Sequence, residues 1–202
     1  MQGWSLHLPR ARKSGGSVIF WVRPIVGLLA MLCLMLESSP VSAQSEDQIK
    51  AAYLLHFARY VEWPESAFSS RKSPLQICML ESDGFHSVVA STVLDKTVGS
   101  RSVEVVVVEN AATATSCHIF FVGDLGRGSL EDESLEEVLT SLGDASVFSV
   151  GNDPDFARRG GVANFFRASN KVRFAINRGA ASSAGLKISS RLLRLAKLVE
   201  SN

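Results

Sequence analysis

The side chains able to do chemistry in this chain of 202 residues are few and scattered. Gly123-Asp124-Leu125-Gly126-Arg127-Gly128-Ser129 lies between an apolar run and a helical pattern, where backbone N–H groups could cradle a phosphate. Its spacing matches neither the Walker pattern nor G-x-G-x-x-G, and no lysine follows, so an ordinary connection is the plainer expectation. Arg127 is the residue that would serve an anion there. His56, His86 and His118 are each isolated in sequence. A core or rim histidine with one hydrogen bond is expected of His56 and His118. No Ser, Cys or Asp stands beside them in a nucleophile pattern, and G-x-S-x-G is absent. Asp153 and Asp155 stand two apart, the spacing that caps a following turn. These residues predict no enzyme, no cofactor and no metal site.

Two other features suit recognition better than reaction. Arg158-Arg159-Gly160-Gly161 precedes a strand-like run. Its glycines allow unusual backbone angles or close approach of another chain, and its arginines can pair with a carboxylate or a partner surface. Tyr53, Phe57 and Tyr60 form an aromatic stripe beside the apolar stripe Ala51, Leu54, Leu55, Ala58 and Val61. A short helix with two apolar faces must touch more than one thing. Tyr53, Phe57, Tyr60, Arg158 and Arg159 are the candidate partner-binding residues, the plainer expectations being a helix pinned between a sheet and a loop and a solvated turn leading into a hairpin.

The elements that would hold them follow from periodicity and breakers. Ser45 and Gln48 match a capping box, so the first helix starts at Glu46 and ends near Glu62, ahead of Trp63-Pro64. Leu75 to Leu80, Val103 to Val108, His118 to Val122 and Ser146 to Val150 predict strands. Phe85 to Leu94 and the set Leu130, Leu135, Val138, Leu139 and Leu142 predict helices, the latter stopped by Gly143. Val162 to Phe166 and Lys171 to Ile176, joined by Ala168-Ser169-Asn170, predict an antiparallel hairpin at one edge. A short helix from Arg178 to Ala184, an extended Leu186 to Ile188, and a last helix carrying Leu192, Leu193, Ala196 and Val199 complete the chain. Strand and helix alternating in this way predict an α/β fold. It would be a single-domain, three-layer sheet, mostly parallel with an antiparallel edge hairpin, with helices on both faces.

The first 43 residues are expected to be a signal peptide. Arg10, Arg12 and Lys13 precede an apolar run from Ile25 to Leu36, and Val41-Ser42-Ala43 places small residues for cleavage before Gln44. An uncleaved anchor is the competing expectation, but Arg23 and Pro24 interrupt the run. The domain would then be residues 44–202, without a stable membrane anchor. Cleavage removes four of 21 basic residues and one of 20 acidic ones, taking the formal charge from +1 to −2. No basic patch large enough for nucleic acid stands out. Cys78 and Cys117 remain, and an even pair in an exported domain is most simply a disulfide, two free thiols being the alternative.

Tyr53-Leu54-Leu55-His56-Phe57-Ala58-Arg59-Tyr60-Val61-Glu62-Trp63-Pro64 resembles the opening motif of the YfiR-like family of small exported proteins. Gln76 to Leu80, Cys117 to Phe121, Gly160 to Phe165, Val172 to Asn177 and Ala184 to Leu193 look like later motifs of that family, in family order. The resemblance implies a periplasmic, Rossmann-like α/β protein, disulfide-stabilised and often a homodimer. Its implied role is to bind the periplasmic sensor domain of a membrane-anchored diguanylate cyclase and hold it inactive. Cys78 and Cys117 match one family disulfide. Residues 152–159 contain no cysteine, so a second bridge of some members is missing. The Gly185 to Leu193 pattern also looks like the end of some transport-associated substrate-binding proteins, so a periplasmic small-ligand-binding module is the alternative. A hydrolase would rest on fold analogy alone. Protein recovered from the periplasm should begin at Gln44, and an intact mass that retains Met1 to Ala43 would remove the export expectation.

Overall fold

The computed structural model describes residues 45–80, 85–123 and 134–201. The expected signal peptide, Leu130, and all of the glycine-rich segment but Gly123 lie outside these residues. Helix α1 (Glu46–Tyr60) begins with the expected capping box: the Gln48 N–H donates to Ser45 Oγ, and the Ser45 N–H to Gln48 Oε1. It stops at Tyr60, two residues earlier than expected. Val61 is already extended, because β1 (Val61–Glu62) pairs antiparallel with β9 (Lys187–Ile188).

An eight-stranded sheet runs β10-β8-β7-β6-β5-β2-β4-β3. Its strands are β2 (Leu75–Leu80), β3 (Thr97–Val98), β4 (Arg101–Val108), β5 (Ile119–Gly123), β6 (Phe148–Gly151), β7 (Ala163–Ala168), β8 (Lys171–Asn177) and β10 (Lys197–Val199). All neighbours pair in parallel except β7 with β8 and β3 with β4. The fold is therefore mixed α/β around a mostly parallel sheet.

Both faces of that sheet are buried, as the near-continuous apolar strands demand. Leu75, Ile77, Met79, Ile119, Phe121, Phe148 and Val150 face one core, beneath α1 and α2 (Phe85–Val93). Cys78, Phe120, Val122 and Val147 face the other, beneath α3 (Leu135–Leu142) and the short 3-10 segment Ala112–Ser116. Period-two alternation along β2 and β5 assigns each side chain to its core. Helix α3 starts on a capping box of Ser134 with Glu137 and ends at Gly143, whose φ of 48° fits the expected stop.

The C-terminal end departs from expectation. Helix α4 (Arg178–Ser183) forms, but the last helix, α5 (Ser190–Leu193), is a single turn. Leu198 and Val199 belong to β10, which adds in parallel to β8. The β7–β8 hairpin is consequently one strand in from the edge rather than at it. A helix continuing to Val199 would have left the outer backbone groups of β8 without partners, and parallel pairing satisfies them. At the hairpin turn Ser169 and Asn170 have φ of 48° and 59°, the left-handed pair that a two-residue type I′ turn requires.

Cys78 and Cys117 form the disulfide, with their Cα atoms 5.9 Å apart. Beside it, His118 ties the amino ends of three strands together. Its N–H donates to the Gln76 carbonyl, and its carbonyl accepts from the Phe148 N–H and from Trp63 Nε1 at 3.0 Å. Nδ1 accepts from the Gln76 N–H at 3.1 Å, so the neutral ring carries its proton on Nε2, which has no hydrogen-bond partner of good geometry. Phe68 stacks on the imidazole at 4.2 Å, and the Arg101 guanidinium lies 3.7 Å from the Phe68 ring centroid. Desolvation pushes the imidazole down to about 4. The charge of Arg101 adds to that effect, and the backbone of Ala67 opposes it.

Two outcomes follow for stability. The bridge closes a loop of 39 residues, worth roughly 4 kcal/mol in the chain-entropy account. Cys78→Ser should therefore lower the melting temperature by several degrees, at about 2–4 °C per kcal/mol. Equal melting of the variant and the oxidised parent would show that the bridge does not stabilise the fold. For His118, the folded value lies below the ordinary 6.5, so between these values the unfolded chain takes up a proton that the folded chain refuses. Stability should rise with pH from about 4 to 6.5, by on the order of 2–3 kcal/mol in urea titrations. His118→Gln should lose that part of the slope even if it is weaker overall.

Candidate functional site

The five sequence-selected residues are divided by the fold. Phe57 is fully buried, with ring centroids 5.1 Å from both Phe148 and Phe174. It fixes α1 to the sheet and offers no atom to solvent. Tyr53 is half-buried, set edge-on to Phe174 at 5.0 Å. Tyr60 is likewise half-buried, packed against the edge of the same core. It stacks in parallel with the exposed His56 at 5.9 Å, and Arg191 of α5 lies 5.8 Å from its ring centroid. Tyr60 also carries a structural load, because its carbonyl accepts from the Ser189 N–H at 2.9 Å and so docks the start of α5.

The arginine-glycine loop is held with little freedom. Ala157, just ahead of it, is clamped by two buried asparagines of the hairpin. The Ala157 N–H donates to Asn164 Oδ1, and Asn177 Nδ2 donates to the Ala157 carbonyl at 2.8 Å. Phe156 inserts between Gly151 and Gly161, where a Cβ on either glycine would overlap its ring. Gly160 has φ of 113°, which a side chain rarely adopts. Both uses foreseen for the glycines occur here, but what approaches them is the chain's own Phe156. Asp153 Oδ1 accepts from the Asp155 N–H at 2.8 Å, the expected turn cap.

From that platform the two arginines go different ways. Arg159 is exposed and pairs with Glu136 of α3 at 2.9 Å and, more loosely, with Asp153 at 3.8 Å. That hydrogen bond holds the Glu136 carboxyl below its usual range. Arg158 is half-buried and lines a cleft of about 670 Å³ beyond the carboxyl end of β6. Glu46 and Lys50 of the first turns of α1 line the same cleft, as do Asn152, Asp155, Phe166, Arg167 and Lys197. Arg158 therefore shares this cleft with the start of α1. Tyr60 sits 14 residues further along, about 21 Å at 1.5 Å per residue.

Sequence reasoning had no means of grouping the cleft residues. They come from five separate stretches, and the Glu46–Lys50 pair reads locally as an ordinary i,i+4 ion pair, which at 2.9 Å it also is. Their convergence depends on strand order. Residues 152–158 follow β6, and β7 and β8 run past the end of β6 to form one wall. Among the described residues no three His, Cys, Asp or Glu side chains are grouped to hold a metal ion, and no helix is long and apolar enough to cross a membrane.

Solved structures show where this architecture recurs. A conserved domain protein from Vibrio cholerae O1 biovar El Tor superposes with a TM-score of 0.50 at 11% identity, covering 76% of this chain and 60% of that one. An ABC domain from Streptococcus pneumoniae, solved in complex with L-Trp, gives a TM-score of 0.44 at 14% identity, covering 61% and 54%. The chain thus spans little more than half the length of either, and only the fold is taken from the first. No curated protein matches the sequence. A family profile described as YfiR/HmsC-like matches residues 47–197, nearly all of the sheet and its helices. The chain therefore belongs to the YfiR/HmsC-like family, which is periplasmic, regulatory rather than catalytic, and associated with the control of diguanylate cyclases.

Proposed function

We propose that this protein is a periplasmic regulator that represses an inner-membrane diguanylate cyclase by binding its periplasmic sensor domain, so lowering cyclic di-GMP. The family match over residues 47–197 carries this reading. Residues 1–43 are then the cleaved export signal, and 44–202 one Rossmann-like, three-layer domain. The architecture supports such a role. The loop bearing Arg158 and Arg159 is rigid, and a rigid platform loses little entropy on docking.

Tyr60 and Arg159 are the surface groups to test, since Phe57 lies in the core and its truncation would open a cavity costing about 3–5 kcal/mol. Tyr60 with His56 and Arg191 supplies a stiff aromatic contact flanked by charge, the type of group that anchors interfaces. Arg159 must exchange Glu136 and Asp153 for a partner carboxylate, so its charge is available only by competition.

Deleting the gene should raise cyclic di-GMP and surface attachment. Cells carrying Arg159→Glu or Tyr60→Ala should show the same change, with the protein folded and abundant. The periplasmic domain of the cyclase should be retained by the parent protein in a pull-down and lost from the variants. Unchanged cyclic di-GMP on deletion would overturn the repressor reading. Full retention by folded Arg159→Glu would remove that loop from the interface.

A further inference from the structure

The cleft beyond β6 has a charge pattern that the fold does not use. Four cations line it, Lys50, Arg158, Arg167 and Lys197, against two carboxylates, Glu46 and Asp155. Glu46 is already neutralised, since Lys50 reaches it at 2.9 Å and Arg167 at 2.8 Å. The hydrogen bond from Lys50, with the charges of both cations, holds its carboxyl below the usual range. Arg167 is fixed further by donating to Asn170 Oδ1 at 2.7 Å. These three residues form a closed rim between α1 and the hairpin. Arg158 and Lys197 remain without an ion-pair partner among the described residues. Lys197 Nζ has only the Phe166 ring, 5.7 Å away, and Asp155 is the one carboxylate left near them.

One more polar atom at this cleft is unused. Asn152 Oδ1 is buried and accepts no hydrogen bond, although the Asn152 N–H is tied to the Gly123 carbonyl at 3.0 Å. A buried acceptor without a donor is costly, on the order of 1–3 kcal/mol, so a ligand that settles against Asn152 and donates an N–H or O–H to this oxygen would relieve that cost. Phe166, Ala175 and Val199, which cluster on one face of the sheet, give the space an apolar floor, and Val172 lines it from the opposite face. About 670 Å³ lies within the range of small-molecule sites, and such sites combine an apolar lining with a few convergent polar groups.

We infer that this cleft binds a small organic acid that carries a hydroxyl beside its carboxylates, the carboxylates on Arg158 and Lys197 and the hydroxyl donating to Asn152. The assignment does not rest on the repressor reading and is tested on the purified protein without any cyclase.

Citrate and propane-1,2,3-tricarboxylate differ by the hydroxyl alone and serve as the probes, followed by calorimetry and thermal shift on the mature chain at low salt. Citrate should bind and raise the melting temperature. The analogue without the hydroxyl should bind about tenfold more weakly, because it leaves Asn152 unpaired. Arg158→Gln and Lys197→Gln should each weaken both probes. Asn152→Ala should erase the difference between them. Inorganic phosphate serves as the plain anion. Phosphate binding as tightly as citrate, or citrate and its analogue binding equally to the parent, would overturn the role of Asn152. No binding of any probe at about 10 mM, or binding indifferent to both cation variants when these melt like the parent, would overturn the site as a whole.

Discussion

A parallel sheet has no face that water can solvate cheaply, and that constraint organises this molecule. Strands β2, β5 and β6 bury side chains on both sides, so each side needs a cover. On one side α1 supplies most of it, driving Phe57 between Phe148 and Phe174 and setting Leu54 and Ala58 onto the same core. On the other, α3 and the Ala112–Ser116 segment cover Cys78, Phe120 and Val122, and the disulfide fastens that layer to β2. Once α1 is committed to the core, only its ends and outer face remain for recognition.

The two ends of the sheet then serve different purposes. At the amino ends, His118, Trp63, Phe68 and Arg101 stack and hydrogen-bond into a knot joining β2, β5 and β6. Burial keeps the imidazole uncharged at neutral pH, so this end is built for cohesion. At the carboxyl end of β6 the groups are charged and unevenly paired, and the strands of the hairpin overhang to make a wall. Rigidity is still present there, since two asparagines grip Ala157 and two glycines admit Phe156. That rigidity presents side chains instead of hiding them. The same turn sends Arg159 to Glu136 and Arg158 to the cleft.

For a regulator this division is economical in physical terms. The proposed docking surface and the proposed cleft draw on adjacent arginines of one loop, Arg159 paired with Glu136 and Arg158 lining the cleft. The two remain separable as long as the turn is fixed. Changing Gly161 would force Phe156 out and disturb both at once, whereas changes at Arg158 or Arg159 address one each.

Much of the local structure is legible in the residues themselves. The capping box at Ser45, the stop at Gly143, the apolar strands, and the hairpin around Ser169-Asn170 are all short-range effects, set by hydrogen bonds and φ preferences within a few positions. The pairing of Cys78 with Cys117 was open to two readings, and the family motifs pointed to the bridge. What the sequence could not decide were features set by neighbours far away in the chain. The spacing of Leu192, Leu193, Ala196 and Val199 suits a helix, yet Val199 is in a strand because the edge of β8 needed backbone partners. Tyr53, Phe57 and Tyr60 form one stripe on a helix, yet sheet packing buries Phe57 fully and half-buries the two tyrosines. The cleft of Lys50, Asn152, Arg158, Arg167 and Lys197 has no sequence signature, since strand order alone brings those stretches together. Short-range rules act within a turn or two of backbone, whereas burial and charge pairing are settled only when distant strands choose their neighbours.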